Sequence, residues 1–329
     1  MTKKILAILD DRKSNTKQSI ALANALKNVL GKAKIDKANL QFNVFSKLPN
    51  IISHGSLIVS KIHGIQKGEK YDIIISCGRK LAKAALDIKI KYGHKNTKTI
   101  SILNPDMNFK SFDAVVLPYH DNVLDTEKNN IVNIYGSMCS LDKDEIQKAN
   151  KDWAWLYKSF DRPYIAVMIG GSSKNFVFSK ELSVKFVKSI EKIAKNMNAT
   201  LFITTSRRTP EYIVEDIRNI LTCSYYLYTF AINKEKNPYN AFVGSSDFFI
   251  CTGDSISMIS EAIENLKPVY IFRDGIENRK HNDFLDQIKS RGMIKDLLPN
   301  VNKLSSKKLL SGINDLELVA KRILEKIKM

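Results

Sequence analysis

The 329-residue chain carries 52 Lys and Arg against 34 Asp and Glu, a formal charge of +18, with 44% hydrophobic residues. Length and apolar content suit two domains of ordinary size, each with its own core. The longest apolar runs, such as Tyr164–Ile169 and Val269–Phe272, have strand length and fall well short of a bilayer span.

The first residues, MTKK and then ILAIL, lack the longer apolar region and small-residue cleavage site of a signal peptide. Cys77, Cys139, Cys223 and Cys251 are widely spread and form no CxxC pair, so neither a zinc spacing nor a disulfide framework is expected. The expectation is a cytoplasmic protein with thiols, no metal and no cofactor. The positive charge is mostly Lys scattered along helices in a chain rich in Asn and Ile. It forms no basic stripe with interleaved aromatics, and no helix-turn-helix or RNP-type motif accompanies it. Attraction to an anionic membrane surface, peripheral at its inner face, is therefore expected in place of dedicated nucleic-acid binding.

In chain order, the pattern predicts a strand over 4–9, a helix over 17–30 and a strand over 40–45. A loop with Pro49 and a short helix over 56–62 follow. An apolar strand over 71–76 leads through Cys77-Gly78-Arg79 into a helix over 80–91. Strands over 98–103, 114–117 and 131–135 complete the first half. Apolar runs alternating with helices indicate a parallel sheet covered on both faces. A helix over 142–160 closes at Asp161-Arg162-Pro163, and the pattern restarts with the strand Tyr164–Ile169. Helices over 181–196 and 210–221 alternate with strands over 201–205 and 224–228. A short helix over 238–244 and a strand over 247–251 precede the stretch CTGDSISMISEA, and a strand over 268–272 and a helix over 278–289 follow it. An amphipathic segment over 315–328 is placed to return to the first domain. The expected fold is α/β, two Rossmann-like doubly wound domains: 1–160, and 161–329 with its last helix able to pack on the first. Such sheets bind ligands beyond the carboxyl ends of their strands, which predicts a cleft between the two domains.

Three loops of the second half are polar in a consistent way. Gly170-Gly171-Ser172-Ser173-Lys174 follows one strand; its glycines let backbone approach a ligand, and the spacing is neither a Walker loop nor GxGxxG. Ser206-Arg207-Arg208-Thr209-Pro210 puts two cations before a helix start, where they oppose the macrodipole unless an anion sits between them. In the CTGDSISMISEA stretch, Asp254, Ser255, Ser257 and Ser260 crowd a helix entrance and Glu261 lies further in. Two readings stand: caps for free amides, or a helix N-terminus facing an anion with Glu261 on a hydroxyl-bearing part of it. Together the loops describe a metal-independent diphosphate site with Glu261 on a ribose or sugar diol. In the first half, Asp10-Asp11, Gly78-Arg79, Asn104-Pro105-Asp106 and Pro118-Tyr119-His120-Asp121 follow strands. His120, beside Asp121, is the leading general-base candidate, with Asp11 the other.

In order, SCGRKLAKAAL, LNPDMNFKSFDAVVLPYHD, VMIGGSSKNF, TTSRRTPEYI, NPYNAFVGSSDFFICTGDSISMISEA and KPVYIF carry a resemblance that spans essentially the whole chain. The sequence resembles bacterial members of the mitochondrial-fission ELM (elongated mitochondria) family, itself similar to two-domain GT-B glycosyltransferases. The run SISMISEAIENLKPVYIF also resembles the nucleotide-sugar segment of lipid-intermediate N-acetylglucosaminyltransferases. The resemblance implies a nucleoside-diphosphate-sugar donor, with Glu261 on ribose hydroxyls and Gly171, Ser172, Ser255, Ser257 and Met258 facing the diphosphate. With the loops read above, the expected binding set also includes Gly170, Ser173, Ser206, Arg207, Arg208, Asn240 and Asp254. It implies transfer of a sugar to a cell-envelope lipid or glycan held by the first domain; the alternatives are a nucleotide-sugar 2-epimerase and a non-catalytic membrane adaptor. One departure stands out. The family's first loop carries glycine-histidine before a glutamine; here Ser14-Asn15-Thr16 precede Gln18.

Overall fold

The computed structural model describes residues 2–43, 59–66, 68–173, 176–232, 236–307, 309 and 311–329. The loop around Pro49, the start of the expected helix over 56–62, and Lys174 lie outside the described residues. The chain forms two compact units: Met1–Ser140 with Asn314–Met329, and Leu141–Ile313.

The first unit is built on β1 (Lys3–Leu9), α1 (Lys13–Leu30), β2 (Ala33–Phe42), β3 (Val59–His63), β4 (Tyr71–Cys77), α2 (Arg79–Tyr92), β5 (Gly93–Ile102), β6 (Ala114–Pro118) and β7 (Ile131–Ile134). Its sheet runs β3-β2-β1-β4-β5-β6-β7. All pairs are parallel except β2 with β3. β1 is apolar at every central position because both sheet faces are covered: Ile5, Ala7 and Leu9 meet Leu22 and Leu26 of α1, while Leu6 and Ile8 meet Leu81 and Ala85 of α2. α1 ends at Gly31, whose positive φ of 70° lets its amide close onto Lys27. Where a helix was expected through 59–62, the chain instead forms the edge strand β3, registered on β2 from Asn39 to Phe42. The run Val-Ser-Lys-Ile-His alternates in the manner of a strand, and a partner strand far back in the sequence decides the outcome.

The second unit contains α3 (Lys143–Asp152), α4 (Ala154–Tyr157), β8 (Tyr164–Ile169), α5 (Lys180–Met197), β9 (Thr200–Thr205), α6 (Glu211–Ile220), β10 (Tyr225–Tyr228), α7 (Tyr239–Ser245), β11 (Phe248–Thr252), α8 (Ile256–Ile263), β12 (Val269–Phe272), α9 (Arg279–Ser290) and β13 (Lys295–Asp296). Its six strands are parallel, in the order β10-β9-β8-β11-β12-β13. The helix expected over 142–160 is broken at Trp153, which leaves helical geometry at φ −107°, ψ 10°. Trp153 is buried there and packs edge-on against Tyr226, so burial of the indole outweighs continuation of the helix.

The last helix, α10 (Leu316–Lys326), belongs to the first unit, where Val319, Ala320 and Ile323 join the core under β1 and α1. Arg322 and Lys326 both pair with Asp125 and pin the helix at its far end. Among the described residues no helix is long and apolar enough to cross a membrane.

Candidate functional site

In the second unit the chain steps from β8 to β9 on one side, and β11 flanks β8 on the other. The sheet therefore has its switch point between β8 and β11, where doubly wound sheets bind ligands. Gly170 leaves the end of β8 there, and Gly253-Asp254 leaves the end of β11.

The residue that organises this edge is Asp254, which is 6% exposed. Its Oδ1 accepts from the Thr252 hydroxyl at 2.7 Å. Its Oδ2 accepts from the Gly171 amide at 2.8 Å and from Nη2 of Arg208 at 3.2 Å. Thr252 in turn accepts the Gly170 amide at 2.8 Å. Burial pushes the Asp254 carboxyl above the usual carboxylate range; the Gly171 amide, Thr252 hydroxyl and Arg208 charge pull it back only in part. The Gly170 carbonyl is held by Ser206 Oγ at 2.6 Å and by Thr209 Oγ1. Arg208 Nη1 reaches the carbonyls of Gly171 at 3.1 Å and Ser172 at 3.3 Å. The loops after β8, β9 and β11 are one hydrogen-bonded unit.

This arrangement gives the glycines a cause the sequence did not reveal. A Cβ on Gly170 would overlap both carboxylate oxygens of Asp254, and one on Gly171 would overlap the Arg208 carbonyl. The close approach is between protein groups. The amides of Gly170 and Gly171 point at Thr252 and Asp254, that of Ser172 at the Arg208 carbonyl (3.2 Å), and that of Ser173 at the Phe176 carbonyl (2.7 Å). The Ser172 hydroxyl accepts from the Phe178 amide at 3.1 Å. The expected cradle of loop amides is thus occupied from within.

The helix that follows Asp254 is different. Ser255 stands at the N-cap of α8 but makes no side-chain cap bond. Elsewhere in this unit Asp142, Ser179 and Asn278 cap α3, α5 and α9 through their side chains. The Ile259 amide is the first of α8 to find a helix-type acceptor, the Ser255 carbonyl at 3.1 Å. Among the described residues the amides of Ile256, Ser257 and Met258 have no acceptor, so the partial positive charge of the helix start is open. Ser257 and Glu261, four residues apart, share the half-buried face of α8, opposite buried Ile259 and Ile263. Ser260 is fully buried and bonds back to the Ile256 carbonyl, a role within the helix.

The two arginines separate. Arg208 ion-pairs with Asp254, so its charge has a partner in the fold. Arg207 is exposed and makes no side-chain hydrogen bond or ion pair among the described residues. Asn240 lies at the start of α7, and its amide donates to Glu145 of α3 at 3.4 Å. That contact is apart from the Asp254 cluster.

In the first unit, Asp10, Gly78, Leu103 and Tyr119 follow the carboxyl ends of β1, β4, β5 and β6. His120 sits on a single helical turn, Tyr119–Asp121, and is only 6% exposed; Asp121 is half-buried and Asp11 exposed. Asp10 holds the switch-point position between β1 and β4. Its Oδ1 accepts from the Arg12 amide at 3.1 Å. Burial raises its carboxyl above the usual range, and the neighbouring Asp11 charge adds to this. Asn15, where the sequence departs from the family loop, is buried against Gly78, and Gln18 accepts the Met138 amide at 3.2 Å.

With this geometry in place, comparison with known proteins is decisive about kinship. A family model described as Mitochondrial fission ELM1 matches residues 15–327. The chain belongs to the mitochondrial fission ELM1 family. An uncharacterized protein of Rickettsia prowazekii is 31% identical over 318 residues, spanning 86% of this chain and 87% of the relative. The mitochondrial fission protein ELM1 of Arabidopsis thaliana is 24% identical over 243 residues, 68% of this chain and 56% of the plant protein. Among solved structures, the UDP-GlcNAc 2-epimerase of Methanocaldococcus jannaschii aligns over 99% of both chains with a TM-score of 0.62 and 13% identity. MurG of Acinetobacter baumannii covers 98% of this chain and 99% of its own, at a TM-score of 0.50 and 9% identity. These likenesses show the GT-B fold expected from the sequence, with a Rossmann-like sheet in each unit.

Proposed function

We propose that this ELM1-family chain is a metal-independent glycosyltransferase whose second unit binds a nucleoside-diphosphate sugar and whose first unit holds a cell-envelope lipid or glycan acceptor. The observation that carries the donor reading is the start of α8: three amides without acceptors, an N-cap serine that does not cap, and the Arg208 guanidinium paired with Asp254 just before the helix. A diphosphate is the anion such a place suits, because amides, hydroxyls and arginine stabilise its charge without a metal. Arg208 has five N–H donors and uses three in the fold, which leaves two for a phosphate oxygen. Arg207 supplies an uncommitted guanidinium, Ser255 and Ser257 supply hydroxyls, and Met258 supplies a backbone amide. Glu261 accepts from a ribose diol.

The reaction breaks the bond from the anomeric carbon to the diphosphate oxygen and forms one to the acceptor oxygen. The diphosphate leaves onto the α8 amides and the arginines. The acceptor proton goes to a general base. Asp10, at the β1–β4 switch point with its carboxyl raised above the usual range by burial, joins His120 and Asp11 as a candidate base.

Glu261→Gln is expected to weaken nucleotide-sugar binding by about 1–3 kcal/mol, the cost of a lost charged hydrogen bond. A fall in melting temperature at unchanged affinity would make Glu261 a helix-packing residue. A transfer assay with bacterial membranes as acceptor source checks the reaction itself. Sugar incorporation supports it, an isomerised sugar formed without acceptor points to an epimerase, and an untouched donor points to an adaptor.

A further inference from the structure

We propose that Asp254 is a positioning residue: a buried carboxylate that aims Arg208 and locks the Gly170-Gly171 turn so that the start of α8 can take a diphosphate. The inference rests on the donor-site reading above and assigns Asp254 a role that excludes contact with the ligand. Both oxygens are engaged inside the fold, by Thr252 on one side and by Gly171 and Arg208 on the other. At 6% exposure no face is left for a substrate.

The electrostatics make the proposal sharp. A carboxylate two residues before a helix start, close to where a diphosphate is to bind, repels that diphosphate. On charge alone, removing it should tighten binding. Its presence is accounted for by what it holds. The Arg208 guanidinium is fixed by three bonds, to Asp254 and to the carbonyls of Gly171 and Ser172, so the orientation of its plane is set. The two carbonyls lie on the turn that Asp254 itself holds through the Gly171 amide and, via Thr252, the Gly170 amide. Without the carboxylate, Arg208 loses its charged partner and the turn loses its inner anchor. Positioning and charge therefore predict opposite signs for one substitution.

The test is the affinity for inorganic pyrophosphate of the full chain, by calorimetry well below the melting temperature. Asp254→Asn is the informative variant, since it preserves shape and removes the charge. Roughly tenfold weaker binding is expected although a negative charge has gone, a change of about 1.4 kcal/mol. Thr252→Val keeps the charge but removes the hydroxyl that donates to Asp254 and accepts the Gly170 amide; with Arg208 and the Gly171 amide still on the carboxylate, it should weaken binding by a smaller factor. Equal or tighter binding by both variants overturns the inference. If Arg207→Ala weakens binding while these two do not, the donor-site reading stands and only the role of Asp254 falls. A wild-type chain that binds no pyrophosphate overturns both.

Discussion

Arg208→Ala is expected to lower the melting temperature at neutral pH, and Arg207→Ala to leave it unchanged. Arg208 pairs with a carboxylate whose side chain is 2% exposed, while its own side chain is 44% exposed. Stripping a partner from a buried charge costs about 3–5 kcal/mol, and the solvent around Arg208 reduces that to roughly 1–3 kcal/mol. In a unit of this size that amounts to roughly 2–10 °C. The pH dependence follows from the Asp254 carboxyl, which burial raises above its unfolded value of 3.8. A raised carboxyl favours the native state below the unfolded value and loses that contribution as pH rises through the native one. Removing Arg208 raises it further, so the deficit of the variant is smallest in acid, where Asp254 is protonated with or without its partner. It grows to its full size as pH climbs past the native value. Melting curves of both chains from acid to neutral pH measure this. A difference that stays constant with pH would show that Arg208 acts through packing and not through Asp254.

Gly170→Ala is expected to be still more damaging. The added methyl would occupy the place of the Asp254 carboxylate, which three donors hold and which has no room to retreat. Overpacking of this kind costs about 1–3 kcal/mol. Displacing the carboxylate also leaves the Gly171 amide without its acceptor, at roughly 1–3 kcal/mol more. Thermal unfolding reads the sum, and a near-native melting temperature would mean that Gly170 and Asp254 are not in contact.

Arg208 and Gly170 also mark the limit of what the sequence discloses. Strand-to-helix alternation, apolar runs and turn residues were enough to place most strands of both sheets, because parallel strands buried on both faces read as continuous hydrophobic segments, although the second strand, expected over 40–45, runs over Ala33–Phe42. What long-range pairing decides was out of reach. β3 forms because β2 offers an edge, β13 is two residues long, and Trp153 breaks a helix to reach Tyr226. The same holds at the site. Gly170-Gly171 and Arg207-Arg208 signalled an anion when taken as separate loops. Their contact with Asp254, more than forty residues from either loop, gives three of those four residues a purpose inside the protein. Ser255 is the opposite case. It has the identity of a cap and makes no side-chain cap bond, which composition alone does not reveal. Asp10 was visible only as half of an acidic pair; its burial at the β1–β4 switch point separates it from exposed Asp11.

The most direct test is calorimetric titration of the purified chain with a panel of nucleoside diphosphates and their sugars, repeated with Arg207→Ala. Arg207 has no partner among the described residues, so its loss isolates ligand binding from stability. The account predicts saturable binding of at least one nucleoside diphosphate, several-fold weaker in the variant at an unchanged melting temperature. Absence of binding across the whole panel, or affinity that Arg207→Ala does not alter, would contradict it.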